Sequence, residues 1–220
     1  MTTTKTTMTR WRRPAAATLA VVAAFALFGA GVLTGRTGSP TSQPAAAVAD
    51  QPSNVDVGFC QDMSAHHAQA VLMAEEALSR STTLEIVTLA KEILTTQAQE
   101  RGTMSGWLIA WHAPQLPSGP PMTWMSHQSH MPMEASMPGM ASQPDLDRLA
   151  TATGTAFDVL FLQLMMRHHN GGILMAEDAR DHARLPEVRA LAGAEVVDQL
   201  QENAVMSRQL SDDGGKPLPL

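Results

Sequence analysis

At 220 residues, with 44% hydrophobic and 16% charged content, the chain has material for one globular domain plus extensions. Five Phe, four Trp and no Tyr stand beside 15 Met and many Ala, a composition that favours helices over a β-sandwich. The formal net charge is −6, and after Arg36 ten basic residues face 21 acidic ones, so nucleic acid is a poor partner.

The N-terminus is basic, with Lys5, Arg10, Arg12 and Arg13, and then runs uncharged for 22 residues from Pro14 to Gly35. At 1.5 Å per residue that run crosses a hydrocarbon core of about 30 Å. The basic flank precedes it, so residues 1–13 are expected in the cytoplasm, residues 14–35 in the membrane as a signal anchor, and the rest outside. A secretory signal cleaved after Ala47-Val48-Ala49 is the alternative, but that site lies far beyond the apolar run, which exceeds the usual signal length. Both put the domain outside the cytoplasm. Residues 36–54, rich in Pro, Ser, Thr, Gln and Ala, form the expected tether.

Helical periodicity follows. Met63, His66, His67, Ala70, Met73, Ala74 and Ala77 fall within an arc of about 120°, which puts both histidines on the inward stripe, while Glu75 lies outside it as a solvating residue. After a break at Ser79–Thr83, Thr82-x-x-Glu85 has the form of a capping box, opening a second helix to about His112, before Pro114. Its apolar face holds Leu89, Ile93, Met104 and Leu108 together with Gln97 and Glu100. A buried carboxylate needs a donor, a cation or a proton. Residues 55–112 therefore read as a helical hairpin. The one cysteine, Cys60, excludes an internal disulfide and is expected to be a packed thiol, since Leu162 stands at the corresponding place in the second half.

Residues 113–144 form a linker whose seven prolines deny it a long helix. Met122–Met140 holds six Met and two His: Met122, Met125, His127, His130, Met131, Met133, Met137 and Met140. Thioether sulfur has no proton to lose and prefers Cu(I), imidazole accepts either copper state, and together they favour copper over zinc or iron. An incidental low-complexity linker is the alternative.

Residues 145–211 read as a second hairpin, with Pro186 in the first turn of its last helix and 212–220 as a tail. This hairpin repeats the first at an offset of 102 residues: from Phe59–Leu108 onto Phe161–Leu210, 19 of 50 positions are identical. Unrelated chains of average composition would share about 6%. The repeated residues include Met63/Met165, His66-His67/His168-His169, Met73/Met175, Glu75/Glu177, Gln97/Gln199, Glu100/Glu202 and Met104/Met206. Two hairpins with uncovered apolar faces can cover each other, so the expected fold is all-α, a four-helix bundle with pseudo-twofold symmetry and the His-His helices at its centre. Gly171-Gly172 in the third long helix faces Gln69-Ala70 and marks a bulge or a close helix contact.

Taken singly, each Met is an ordinary core filler and each histidine a hydrogen-bonded core residue. Four histidines and two glutamates repeated on converging faces point instead to a metal site. Adjacent side chains diverge by about 100°, so which member of each histidine pair binds is open: all four are candidate ligands, and one of each pair can bind while the other supports it.

The paired M-x-x-H-H and M-A-E motifs and the Q-x-Q-E-x-x-x-M helix resemble the bacterial family called domain of unknown function 305, from about Val55 to Leu210. The resemblance implies a ferritin-like bundle, often exported, with members implicated in copper binding and resistance. By it, Met63, His66, His67, Met73, Gln97, Glu100 and Met104, with Met165, His168, His169, Met175, Gln199, Glu202 and Met206, are the motif residues. Cys60, and Ala68 opposite Asn170, depart from exact duplication, so the half-sites need not bind equally.

The expected function is membrane-tethered copper buffering or sequestration outside the cytoplasm, with a metal ion as partner and a second copy of the chain or a delivery protein as further candidates. A ferritin-like di-metal oxidase is the enzymatic alternative, but it expects E-x-x-H on two helices and the chain contains none. A metal-free helical interaction module is the third. It leaves the inward His, Gln and Glu unexplained.

Overall fold

The computed structural model describes residues 51–125 and 137–220. The expected anchor at 14–35, nearly all of the tether, and His127, His130, Met131 and Met133 lie outside the described residues. Those residues form five helices and no strand: α1 (Asn54–Arg80), α2 (Leu84–Ala110), α3 (Gln143–Thr151), α4 (Gly154–His182) and α5 (Pro186–Asp212). Among them no helix is long and apolar enough to cross a membrane.

The helix starts show which local signals won. α1 opens on a capping box between Ser53 and Asp56, and Pro186 occupies the first turn of α5 as expected. The box expected at Thr82 and Glu85 does not form. Instead Thr83 is the N-cap, without a side-chain cap, because its hydroxyl donates across the molecule to Asp158 Oδ2 at 2.6 Å. α3 is an addition to the expected four helices: Ser142 and Asp145 form a second capping box, which starts a short helix at the end of the linker.

α1 packs on α2, α4 packs on α5, and the two hairpins meet mainly through α1 and α4. The buried apolar residues form two clusters that the 102-residue offset exchanges. One holds Phe59, Met63, Met104 and Leu108 from the first hairpin with Met175, Ala176, Ala179, Val188 and Ala192 from the second. The other holds Phe161, Met165, Met206 and Leu210 with Met73, Ala74, Ala77, Ile86 and Ala90. Each hairpin thus completes the core of the other. With about 1.5–3 kcal/mol for each large apolar side chain buried, neither hairpin can do without its mate.

The same exchange operates at the turns. Asp56, at the start of α1, accepts from Leu185 N at 2.9 Å and Arg184 N at 3.2 Å in the α4–α5 turn. Its counterpart Asp158 receives the Thr83 hydroxyl from the α1–α2 turn. The linker ends are tied to α1: Gln61 Nε2 donates to Pro114 O, Asp62 Oδ2 accepts from Met122 N and Trp124 Nε1, and Gln69 exchanges two hydrogen bonds with Ala141.

Gly171 and Gly172 cause no bulge, since α4 is helical throughout. They permit close contact instead. A Cβ on Gly171 would collide with Pro138 O, and one on Gly172 would lie 2.6 Å from Gln199 Oε1. This is how the end of the linker reaches the histidine layer.

Candidate metal centre

The polar residues of the inward faces meet where α1 and α4 cross. The rings of His66 and His168 lie against each other at a tilt of 33°, with centroids 3.7 Å apart. His66 Nε2 lies 3.1 Å from Pro138 O, whereas His168 Nε2 lies 3.1 Å from His66 O, so the linker breaks the twofold relation at this point. The other member of each pair points to its own hairpin's second helix: His67 Nε2 is 2.8 Å from Glu100 Oε2, and His169 Nε2 is 2.6 Å from Glu202 Oε2. The 100° divergence of neighbouring side chains therefore gives two roles, one histidine at the pseudo-twofold contact and one facing a carboxylate.

Burial governs the electrostatics. His66 and His67 are fully enclosed, and desolvation, reinforced by His67 for the first and by His169 for the second, lowers each to about 3 from an ordinary 6.5. His168 is lowered for the same reason, with His66 as its chief charged neighbour. Glu100 is raised to about 7, first by burial and then by repulsion from Glu202. Neutral imidazole is the form that coordinates a metal. In all four histidines Nδ1 is buried without a hydrogen-bond partner.

The expected residues divide into three groups. His66, His67, His168, His169, Glu100 and Glu202 make the polar layer. Met63, Met104 and Met175 pack in one apolar cluster with Cys60, Met122 and Trp124, while Met73, Met165 and Met206 pack in the other. The described loop residues Met125 and Met137 lie against the first of these clusters. Gln97 is buried with both amide atoms unpartnered, and Gln199 Oε1 is likewise unpartnered.

Sequence reasoning missed Glu195. It is fully buried, and its Oε1 lies 3.7 Å from His67 Nε2. Glu100, Glu195 and His67 each present a ligand atom within 4.8 Å of the others. The signal was a mismatch in the repeat, since Glu195 stands where the first hairpin has Ile93. Asp198 likewise replaces Thr96, and burial and the nearby Glu100 and Glu202 raise its carboxyl. Cys60 is buried as expected, with its thiol pushed up by desolvation and by Glu195, so it is no ready thiolate.

The fold and this layer define a class: a duplicated helical bundle with a buried histidine and carboxylate centre. The chain belongs to the family described as Domain of unknown function (DUF305), which it matches over residues 56–210. It is similar to a DUF305 protein of Streptomyces coelicolor, with 38% identity and a TM-score of 0.70 over 76% of this chain and 98% of that one. A DUF305 fragment from Deinococcus radiodurans gives 32% identity and a TM-score of 0.62, covering 74% and 99%. CopM in its Cu(II)-bound form gives 29% identity and a TM-score of 0.58, covering 71% and 96%. No curated relative matches by sequence.

Proposed function

We propose that this protein binds copper outside the cytoplasm and buffers or sequesters it there, using a ferritin-like bundle tethered through residues 14–35. The observation that carries this is the set of four buried histidines, three of them held towards neutrality by their surroundings, each with an unpartnered Nδ1. Two of them face Glu100 and Glu202. Met63, Met104 and Met175 on one side, and Met73, Met165 and Met206 on the other, would supply thioethers for Cu(I). The loop Met122, Met125, His127, His130, Met131, Met133, Met137 and Met140 would capture the ion. Iron and zinc suit the thioethers poorly.

The likeness to CopM supports the choice of metal, since CopM has been solved with Cu(II), Cu(I) and silver bound. An extracytoplasmic site agrees with the Streptomyces relative, which is named as a candidate secreted protein. The test is an anaerobic competition titration of the full chain against a chromophoric Cu(I) chelator, beside a variant with His66, His67, His168 and His169 all changed to Ala. Tight binding lost in the variant is expected. Binding that survives would move copper to Met122–Met140, and no binding by either protein would end the proposal.

One observation favours a second reading, a di-metal oxidase. Glu195 adds a buried carboxylate to Glu100 and His67, which partly makes up for the missing E-x-x-H pattern. Oxygen consumption with Fe(II) or Cu(I) separates a buffer, which consumes none catalytically, from an oxidase.

A further inference from the structure

The two halves of the polar layer differ in donor chemistry. In the second hairpin's half, His169 faces Glu202, and the place that corresponds to Glu195 is filled by Ile93, fully buried within an apolar cluster. In the first hairpin's half, the carboxylate of Glu195 is just as deeply enclosed, and neither of its oxygens has a hydrogen-bond partner. Exchanging a core isoleucine for a carboxylate without a partner costs several kcal/mol. Something must offset that cost.

The geometry supplies the candidate. His67 Nε2 lies 2.8 Å from Glu100 Oε2 and 3.7 Å from Glu195 Oε1. Donor atoms around a tetrahedral ion at ~2.0–2.1 Å stand about 3.3 Å apart, so one separation closes slightly and the other opens slightly as an ion enters. We propose that His67, Glu100 and Glu195 form a site for one divalent cation of the Zn(II) class, present in this half of the bundle and not in the other. One imidazole nitrogen and two carboxylate oxygens are hard to borderline donors that favour a divalent ion over Cu(I). The ion would also neutralise two carboxylates that burial otherwise pushes towards their protonated forms. Asp198, whose carboxyl feels Glu100 and Glu202, adds negative potential beside the site.

This site shares His67 and Glu100 with the proposed copper centre, so the two ions would compete there, but it goes beyond copper buffering and does not require copper to bind. The test is a Zn(II) competition titration of the full chain, with Co(II) as a spectroscopic probe, on wild type, Glu195→Ile and Glu195→Gln. The first variant restores the residue of the other half, and the second keeps the shape of the side chain while removing its charge. Thermal melting of the metal-free proteins reports folding.

Wild type is expected to bind Zn(II) tightly at this centre and to give tetrahedral Co(II) bands without a sulfur-to-metal charge-transfer band. Both variants should weaken binding by more than about 100-fold, beyond the 10–100-fold typical of substitutions outside the ligand set. Wild-type binding retained by either folded variant would overturn the proposal. So would a sulfur charge-transfer band, which would put Cys60 or a methionine in the ligand set, or no Zn(II) binding by wild type. The wild-type Cu(I) titration is a separate measurement, so copper binding can fail while the Zn(II) site stands, and the reverse.

Discussion

The two halves of the centre carry the same histidine pair and the same glutamate, yet only one of them encloses a further carboxylate. Around His169 and Glu202 the repeat supplies Ile93 and Thr96 at places where, around His67 and Glu100, it supplies Glu195 and Asp198. The apolar framework is nearly exact in both, as the exchange of Phe59 with Phe161 and Met104 with Met206 between clusters shows. The comparison separates two demands on a duplicated sequence. Packing requires that each hairpin complete the other, which holds the large apolar residues in place. Ligand chemistry is set by single inward positions, which can differ without disturbing that packing.

The sharpest way to break this comparison is to make the halves alike. Ile93→Glu should destabilise the metal-free protein by about 3–5 kcal/mol, because it buries a charge without a partner. At about 2–4 °C per kcal/mol this is a large loss of Tm, which excess Zn(II) should partly recover if His169 and Glu202 can complete a site. Truncating the framework should cost as much in either half: Phe59→Ala and Phe161→Ala should each lose about 3–5 kcal/mol in thermal melts. A difference between them above about 2 kcal/mol would show that the halves are not equivalent in packing.

The reverse exchange should have the opposite sign. Glu195→Ile should stabilise the metal-free protein by about 1–4 kcal/mol, the usual result of replacing a buried charge by an apolar residue of similar volume. At the turns, Asp56→Ala should cost about 2–3 kcal/mol and Asp158→Ala about 1 kcal/mol, since Asp56 binds backbone N–H groups of Arg184 and Leu185 as well as its own cap, while Asp158 receives the Thr83 hydroxyl. Chemical denaturation would measure both.

The smallest effect is the pH slope near neutrality. His66 and His67 are lowered from 6.5 to about 3, so between these values the unfolded chain binds protons that the folded chain refuses, and stability falls on acidification. Glu100 is raised from 4.5 to about 7, so the folded chain holds the extra proton in that window and stability falls as pH rises. Between pH 4.5 and 6.5 the lowered histidines His66, His67 and His168 are opposed by the raised carboxyls of Glu100, Glu195 and Asp198, so Tm should change little there. Below pH 4.5 that opposition fades, Asp145, held low by Arg167, adds to the histidines, and Tm should drop steeply. Glu195→Ile removes one of the raised carboxyls and should make the slope above pH 4.5 steeper in the histidine direction.

Much of this was legible in the chain because duplication writes structure twice. The offset of 102 residues, the 3.6-residue period and the inward histidines specified a bundle of paired hairpins and most of its polar layer. What the chain did not yield has particular causes: one cap misread, one glycine contact whose partners were hidden, and one match and one mismatch of the repeat left unread. Thr83 donates to Asp158 in place of the local cap that Thr82-x-x-Glu85 offered, since a buried carboxylate gains more from a hydroxyl than an exposed turn does. The glycine pair in α4 answers to Pro138 and Gln199, which no local pattern reveals. Extending the repeat upstream would have paired Asp56 with Asp158, and the mismatch Ile93/Glu195 was on view in the same alignment.

The sequence by itself determined the four long helices, their pairing into hairpins and which faces turn inward, because periodicity and repetition are properties of the chain; the short α3 was not among them. Only the tertiary structure decided that His66 meets His168 while His67 and His169 turn to carboxylates, and that the methionines divide between two separate clusters. Those outcomes depend on how two hairpins cross and on where the linker's Pro138 comes to rest. A residue's position on its helix fixes its direction, but only the crossing fixes what it meets.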